Sequence, residues 1–421
     1  MSFIDLQQRT PKRWREGTHR TRAPQQTLDA FRPLLARLGI TRLANVTGLD
    51  RIGLPVCVAV RPNSRALATS QGKGETLPAA MASAMMESIE TWHAERVAAP
   101  LRWESYEALR HETAVVDPAE LPVRIDAAFY PGRPVLWMQG EDLVAGRPVQ
   151  LPYELVAVNF VRQPGHQAVF LESSNGLASG NHPVEAVVHG LCEVIERDAL
   201  TLWQLVPEAE RAARRVDLDT LPAGRLREVV DLLEGKGIAL AAWDITTDVG
   251  VPCYTCTIVE DPDSPDWRPI PMFSGHGAHL QPEVALSRAV HEAIQSRLTA
   301  ISGSRDDLFP TDYVKVGHRD DHARTVAAMQ APGPRVPLRA RAHVDGDCIE
   351  DDLAALLQAL QAVGITSVIA VDLSRPEVGI PVVKVVVPGL EPYHTPLYRP
   401  GPRARRAMAQ RQAANAVGVS A

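Results

Sequence analysis

The chain has 421 residues, 45% of them apolar and 22% charged, with a formal net charge of −6. That is the composition of a globular protein of one large domain or a few ordinary ones. The negative balance excludes a whole-surface nucleic-acid footprint, and the longest apolar runs, such as IALAAW at 238–243, are too short to cross a membrane.

The N-terminus, MSFIDLQQRTPKRWREG, has neither an apolar core nor a small-residue cleavage site, so it does not read as a secretory signal. Residues 1–45 read as an N-terminal extension, a basic start followed by a short helix over LDAFRPLLARLGI. From LPVCVAV, at 54–60, the pattern becomes strand, turn at RPNSR, strand, glycine-rich loop and helix. A second pass of similar layout ends in AVFLESSNGLASG and its helix, with looser stretches such as WESYEALRHETAVVDPAELP between them. Next come a helix over GRLREVVDLLEGKG, strands at IALAAWDIT and VPCYTCTIV, and a third glycine loop with its helix. Segment 303–345, rich in Arg, Asp and Pro, reads as loop. A helix over DDLAALLQALQAVGI leads to strands TSVIAVDLS and PVVKVVVPGL, and residues 396–421 form a basic C-terminal tail that reads as a frayed, solvated helix. Hairpins alternating with helices predict an α+β fold with antiparallel or mixed sheets flanked by helices. The five cysteines are odd in number and scattered, which fits reduced thiols in cytoplasm. Cys253 and Cys256 form a CxxC in a strand-like run without a second pair, and read as packing.

One device occurs three times: a glycine-rich loop, a proline at the helix start, and two polar acceptors three residues apart. Glu87 and Glu90 follow Pro78 by nine and twelve residues. Glu193 and Glu196 follow Pro183, and Glu292 and Gln295 follow Pro282, each by ten and thirteen. Residues three apart share a helical face. Three such faces aimed at one spot would gather five carboxylates and an amide, which repel unless a hard cation lies among them. Mg²⁺ with substrate phosphates answers that demand. Proline in the first turn, free amides and preceding glycines offer an anion cradle; Lys73, within GKG, adds a positive charge, and Ser83 lies one turn before Glu87. Singly, such glutamate pairs are solvated or salt-bridged, with Arg197, Arg288 and Arg297 as available partners. The threefold coincidence and the apolar neighbours Met85, Ile89, Leu191 and Ile195 favour a site.

Other motifs fail. Neither GKG, at 72–74 or 235–237, completes a P-loop. His291-Glu292 lacks the second histidine of a zinc protease, His318-Arg319-Asp320 lacks the asparagine of a kinase catalytic loop, and no GxSxG occurs. His276 and His279 read as loop surface.

The three helices resemble the motifs of the YcaO superfamily: Ser83-x3-Glu87-x2-Glu90, Glu193-x2-Glu196-Arg197 and Glu292-x2-Gln295-x-Arg297. The likeness extends to TGLDRIGLPVCVAVRP at 47–62, SQGKGET at 70–76 and VVPGLEP at 386–392, covering residues 46–395 as one catalytic domain. The chain is especially similar to YcaO proteins that act with a partner called TfuA. This resemblance implies a YcaO-type fold, ATP and Mg²⁺ as cofactors, and activation of a backbone amide in a ribosomally made peptide or protein. A nucleophile adds to the amide carbonyl, whose oxygen then leaves as phosphate. A neighbouring Cys or Ser gives an azoline; sulfide gives a thioamide. By the resemblance, Glu87, Glu90, Glu193, Glu196 and Glu292 hold Mg²⁺ and phosphates, while Lys73, Ser83, Asn175, Arg197, Arg288 and Gln295 contact ATP. The ending RQAANAVGVSA lacks the Pro-rich tail common in azoline-forming members. With the TfuA-type similarity, this favours thioamidation with a TfuA-like partner and a sulfur donor, over cyclodehydration or a non-catalytic accessory role in ribosomal protein modification. A homodimer is the family's implied assembly; neither nucleic acid nor membrane is an expected partner.

Overall fold

The computed structural model describes all residues except 1, 2, 6, 162–166, 315–317, 339–345, 394 and 419–421, and only the backbone of 312, 314 and 414–418. In chain order the strands are β1 Arg42–Asn45, β2 Val56–Val60, β3 Thr69–Lys73, β4 Arg102–Ser105, β5 Pro134–Asp142, β6 Arg147–Pro152, β7 Leu177–Ser179, β8 Val216–Asp217, β9 Ile238–Asp244, β10 Cys253–Glu260, β11 Phe273–Ala278, β12 Val336–Pro337, β13 Ile369–Asp372 and β14 Val382–Val386. The helices are α1 Pro24–Phe31, α2 Leu77–Ala94, α3 Tyr106–Leu109, α4 Pro183–Trp203, α5 Glu208–Ala212, α6 Arg225–Gly235, α7 Pro282–Ser302, α8 Pro310–Val314, α9 Arg319–Gln330, α10 Ile349–Ala362 and α11 Pro402–Gly418.

Two antiparallel three-stranded sheets, β1-β2-β3 and β11-β10-β9, accompany a six-stranded antiparallel sheet ordered β4-β5-β13-β14-β7 with β6 on β5. Among the described residues the short β8–β12 pair is the one parallel pairing between named strands, beside a single parallel bridge from Val115 to Gln150. This is the α+β arrangement that the alternation of hairpins and helices predicts.

The threefold device is a strand that turns straight into a helix lying back over it: β3 into α2, β7 into α4, and β11 into α7. The glycines therefore sit in or beside strands, where the sequence suggested phosphate-cradling loops. They serve close packing. A Cβ on Gly72 would lie 2.1 Å from Ala84 N; on Gly275, 2.1 Å from Ala289 O; on Gly277, 2.1 Å from Ala285 O. On α7 the small residues Ala285, Ala289 and Ala293 recur every fourth position and face this glycine strand, so helix and strand backbones touch. Thr76 caps α2 by accepting from Ala79 N–H, and Pro78, Pro183 and Pro282 occupy the first turns.

Three expectations are corrected. Residues 1–45 are no appendage: β1 pairs with β2, Leu28 and Phe31 join the core, and Lys12 Nζ meets Asp352 at 2.7 Å in a buried pair. Within 303–345, α8 and α9 replace the expected loop, because Val326 and Met329 pack on the β9–β10 sheet; residues 315–317 and 339–345 lie outside the described residues. The tail is docked at its start, where Arg403 pairs with buried Asp198 at 3.0 Å and Ala404 is buried.

Arg297, 1% exposed, joins three distant segments. Its guanidinium donates to Asp50 at 2.7 and 3.1 Å and to Glu260 at 2.6 Å, and Arg51 closes the network on Glu260. It is thus committed to the fold and takes no part with Glu292 or Gln295 on its own helix. Removing one partner of a buried ionic network strands the others without water. Arg297→Ala is expected to lower unfolding free energy by about 3–5 kcal/mol in urea titration; a loss below about 1 kcal/mol would contradict the structural role assigned to it.

Candidate functional site

The acceptors lie mid-helix, about 14–20 Å of helical rise beyond the prolines, so no single phosphate touches both a helix's first amides and that helix's acids. Instead the three helices present their acids to one another. Glu87 feels the charges of Glu193 and Glu292; Glu90 feels Glu87 and Glu193; Glu196 feels Glu193 and Glu292. Each of Glu87, Glu90, Glu193 and Glu292 keeps some exposed surface while lying deep among protein atoms, so they line a recess.

Lys73 reaches across from the end of β3 and donates to Gln295 Oε1 at 2.9 Å, with Glu292 Oε2 at 3.3 Å. Arg197 lies 3.6 Å from Glu196 and stacks 5.3 Å from the Tyr393 ring centre. Asn175 stands in the turn before β7, and among the described residues its buried Oδ1 has no partner. Ser83 is half-buried one turn before Glu87. Arg288 is the outlier. Its guanidinium contacts His189 Nε2 at 3.2 Å, on the side of α4 where Arg20 meets Glu185, and reaches the acids only through the field it exerts on Glu196.

Other participants escaped sequence reasoning. Lys384 on β14 is 1% exposed, donates to Ser173 O and faces Glu193. Burial pushes its amine down to about 7. His276, expected on a loop surface, lies on β11, where its Nδ1 meets Thr255 Oγ1 at 3.0 Å and its ring neighbours Glu292. Burial brings it to about 4, so it is neutral at pH 7. His279, also expected at the surface, is buried against His19. Arg305 and Tyr393 complete the rim. A lysine in an apolar strand run, VVKVVV, was the available signal for Lys384.

The electrostatics are unbalanced. Burial pushes Glu87 up to about 7 against the pull of Lys73 and Arg305. It pushes Glu90 up to about 8, although Ser179 N–H and Oγ–H donate to its Oε1 at 2.8 and 2.7 Å. Glu193 and Glu196 are raised by burial as well. Glu292 alone goes down: burial opposes ionisation, but Lys73, Arg197 and His276 outweigh it. A recess where carboxylates resist ionising while cations stand beside them suits a divalent cation and an anionic ligand together. Among the described residues no three His, Cys, Asp or Glu side chains form a ready-made cage. Mg²⁺ does not ask for one, since it keeps waters and takes ligand phosphates beside one or two carboxylates. The unpartnered Asn175 Oδ1 likewise fits a ligand bearing hydroxyl or amino groups.

Glu90 allows a sign-definite test. Its folded pKa, about 8, exceeds the 4.5 of a free carboxyl. The folded state therefore holds a proton that the unfolded chain releases, and stability is lost as pH rises through this window. Buried histidines titrate in the opposite sense, so variants must be compared. In Mg²⁺-free buffer, Glu90→Gln should gain on the parent chain by roughly 1–3 kcal/mol between pH 5 and 8, measured by urea unfolding. A pH-independent difference would refute the assignment.

A family profile described as YcaO cyclodehydratase, ATP- and Mg²⁺-binding, matches residues 71–391. The chain is 38% identical over 372 residues to a protein in the tfuA 3′ region of Rhizobium leguminosarum bv. trifolii, covering 87% of each. It is 27% identical over 302 residues to the Escherichia coli ribosomal protein S12 methylthiotransferase accessory factor YcaO, covering 65% of this chain and 48% of that protein. In fold it matches YcaO from Methanopyrus kandleri bound with AMPPCP and Mg²⁺, with TM-score 0.69, 24% identity, and coverage of 93% of this chain and 100% of that one. A heterocyclase in complex with substrate and cofactor matches at TM-score 0.75 and 23% identity over 91% of this chain, which spans about half (54%) of the heterocyclase. A recess of helix-borne carboxylates, a profile over three quarters of the sequence and a relative of equal span agree: the chain belongs to the YcaO family, with ATP and Mg²⁺ as its cofactors.

Proposed function

We propose that this protein activates a backbone amide of a ribosomally made peptide or protein, with sulfide as nucleophile and a thioamide as product, together with a TfuA-like partner and a sulfur donor. The observation that carries the amide-activating part is the meeting of five carboxylates from three helices in one recess. The preference for sulfide rests on the relative from the tfuA 3′ region. Glu87, Glu90, Glu193, Glu196 and Glu292 would hold Mg²⁺; Lys73, Ser83, Asn175, Arg197 and Gln295 would meet the nucleotide. Arg288 would act on them through Glu196. Bound with Mg²⁺, ATP supplies the phosphoryl group with which the amide oxygen departs as phosphate, so that sulfur takes its place. The chain's own residues position and neutralise charge, which is most of what phosphoryl transfer requires. Gln295 and Glu292 fix the Lys73 ammonium, and Tyr393 steadies Arg197.

Ring formation by a neighbouring Cys or Ser side chain is the second reading, supported by the cyclodehydratase description and the heterocyclase fold. An accessory role in ribosomal protein modification is the third, supported by the Escherichia coli relative. Peptide-stimulated ATP turnover favours the first two over the third. Glu87→Ala and Glu196→Ala should each lower turnover by about a hundredfold or more, with unchanged circular dichroism; turnover retained in both sinks the assignment. Intact-mass analysis of a candidate peptide co-expressed with this protein and its genomic neighbour should show a gain of about 16 mass units, sulfur for oxygen. A loss of about 18, one water, would replace thioamidation by cyclodehydration.

A further inference from the structure

Strand β9 ends its sheet, and its outer edge is only partly covered. Asp244 N–H donates outward to Arg214 O at 3.0 Å, whereas Gly237 O accepts from Asp261 N–H, on the β10 side, at 3.0 Å. Strand alternation then turns the N–H and C=O of Ile238, Leu240 and Ala242 away from β10. The incoming chain bridges Trp243 through Arg215, after which β8 leaves to pair with β12. Residues Ile238–Ala241 are left facing an open cleft of about 220 Å³. Among the described residues no strand pairs with β9 on this side. Exposed edges are ordinarily guarded by charge or proline; Ile-Ala-Leu-Ala has neither.

The cleft also holds an uncompensated cation. Arg215, 8% exposed, lines it and donates to Met329 O and, at 2.6 Å, to Ala331 O. Among the described residues its buried Nε has no acceptor and no carboxylate pairs with it. Arg227 and Arg335 line the same cleft with Asp219 and Glu234; Arg227 is held by Asp231 at 2.7 Å, whereas among the described residues Arg335 has only the looser contact with Asp217 at 3.9 Å. A buried guanidinium served only by carbonyls still calls for an anion. The cleft shares no lining residue with the acid recess.

We propose that this cleft receives an extended, acidic segment of the peptide substrate as an added strand on β9. The outward N–H and C=O of Leu240 bond its main chain, and Arg215 and Arg335 face its carboxylates. The inference rests on the amide-activating reading above only in taking the substrate to be a peptide.

The test uses the full chain without nucleotide and a fluorescein-labelled peptide of about ten residues alternating valine and aspartate, followed by anisotropy. A lysine-for-aspartate peptide and an acidic peptide N-methylated at alternate positions are the controls. The acidic peptide should bind, both controls should bind at least about tenfold more weakly, and the Leu240 amide should slow in hydrogen exchange. Arg335→Glu and Leu240→Pro should each weaken binding by a similar factor; proline at 240 removes an outward N–H and no bond to β10. Glu87→Ala should bind the peptide like the parent chain while losing turnover, which separates failure here from failure of the amide-activating reading. Equal binding of acidic and basic peptides, absence of binding, or protection of Leu240 by the partner protein but not by the peptide would each overturn the proposal.

Discussion

Helices α2 and α7 lie flush on the strands that precede them because glycine removes the Cβ that would hold them off. A methyl on Gly72, Gly275 or Gly277 would sit about 2.1 Å from helix backbone, well inside contact distance. Alanine on the helix side completes the approach. This constraint sets where the acids stand. Once each helix is seated, Glu87, Glu90, Glu193, Glu196 and Glu292 have no freedom to spread apart, and their repulsion must be met by other charges.

The fold meets it only in part. Lys73 and Arg197 suffice to keep Glu292 ionised, but Glu87 and Glu90 remain raised, and Lys384 is itself too deeply buried to hold its proton firmly. Stability given up at such a place is characteristic of a site built for a ligand. Mg²⁺ beside the glutamates and phosphates beside Lys73 and Arg197 would satisfy both signs at once, which explains why cofactors of opposite charge belong together here. Arg297 shows the contrast: its two acids balance it fully within the protein, and it serves the fold alone.

The acids were legible in the sequence because helical spacing is local: three residues apart means one face, whatever the tertiary context. The α+β class was legible for a similar reason, from strand and helix patterns alternating along the chain. The glycine loops were misread because the same residues serve turns, cradles and close strand–helix contacts, and only the partner surface decides among them. Segment 303–345 looked like loop because α9 is largely polar and touches the sheet through few residues, Val326 and Met329 among them. Residues 1–45 looked detachable because Lys12 and Thr21 find their partners, Asp352 and Glu185, far along the chain. Lys384 and His276 act at the recess through contacts that no spacing encodes.

Helix α4 ties these layers together. One side holds Glu185, which accepts from Thr21 N–H and Oγ–H at 2.8 and 2.7 Å and so fastens the N-terminal segment; the other carries Glu193 and Glu196 into the recess. Its last turns add Asp198, which receives Glu391 N–H at 2.9 Å and pairs with Arg403. The segment leading to Tyr393 is thereby anchored beside Arg197. In the proposed reaction the acids would act on charge at the departing oxygen, whichever nucleophile replaces it. On that reading, discrimination between sulfide and a neighbouring side chain would fall to groups that meet the peptide; Tyr393, stacked on Arg197, and Arg305, whose charge reaches Glu87, stand nearest to the acids for that task.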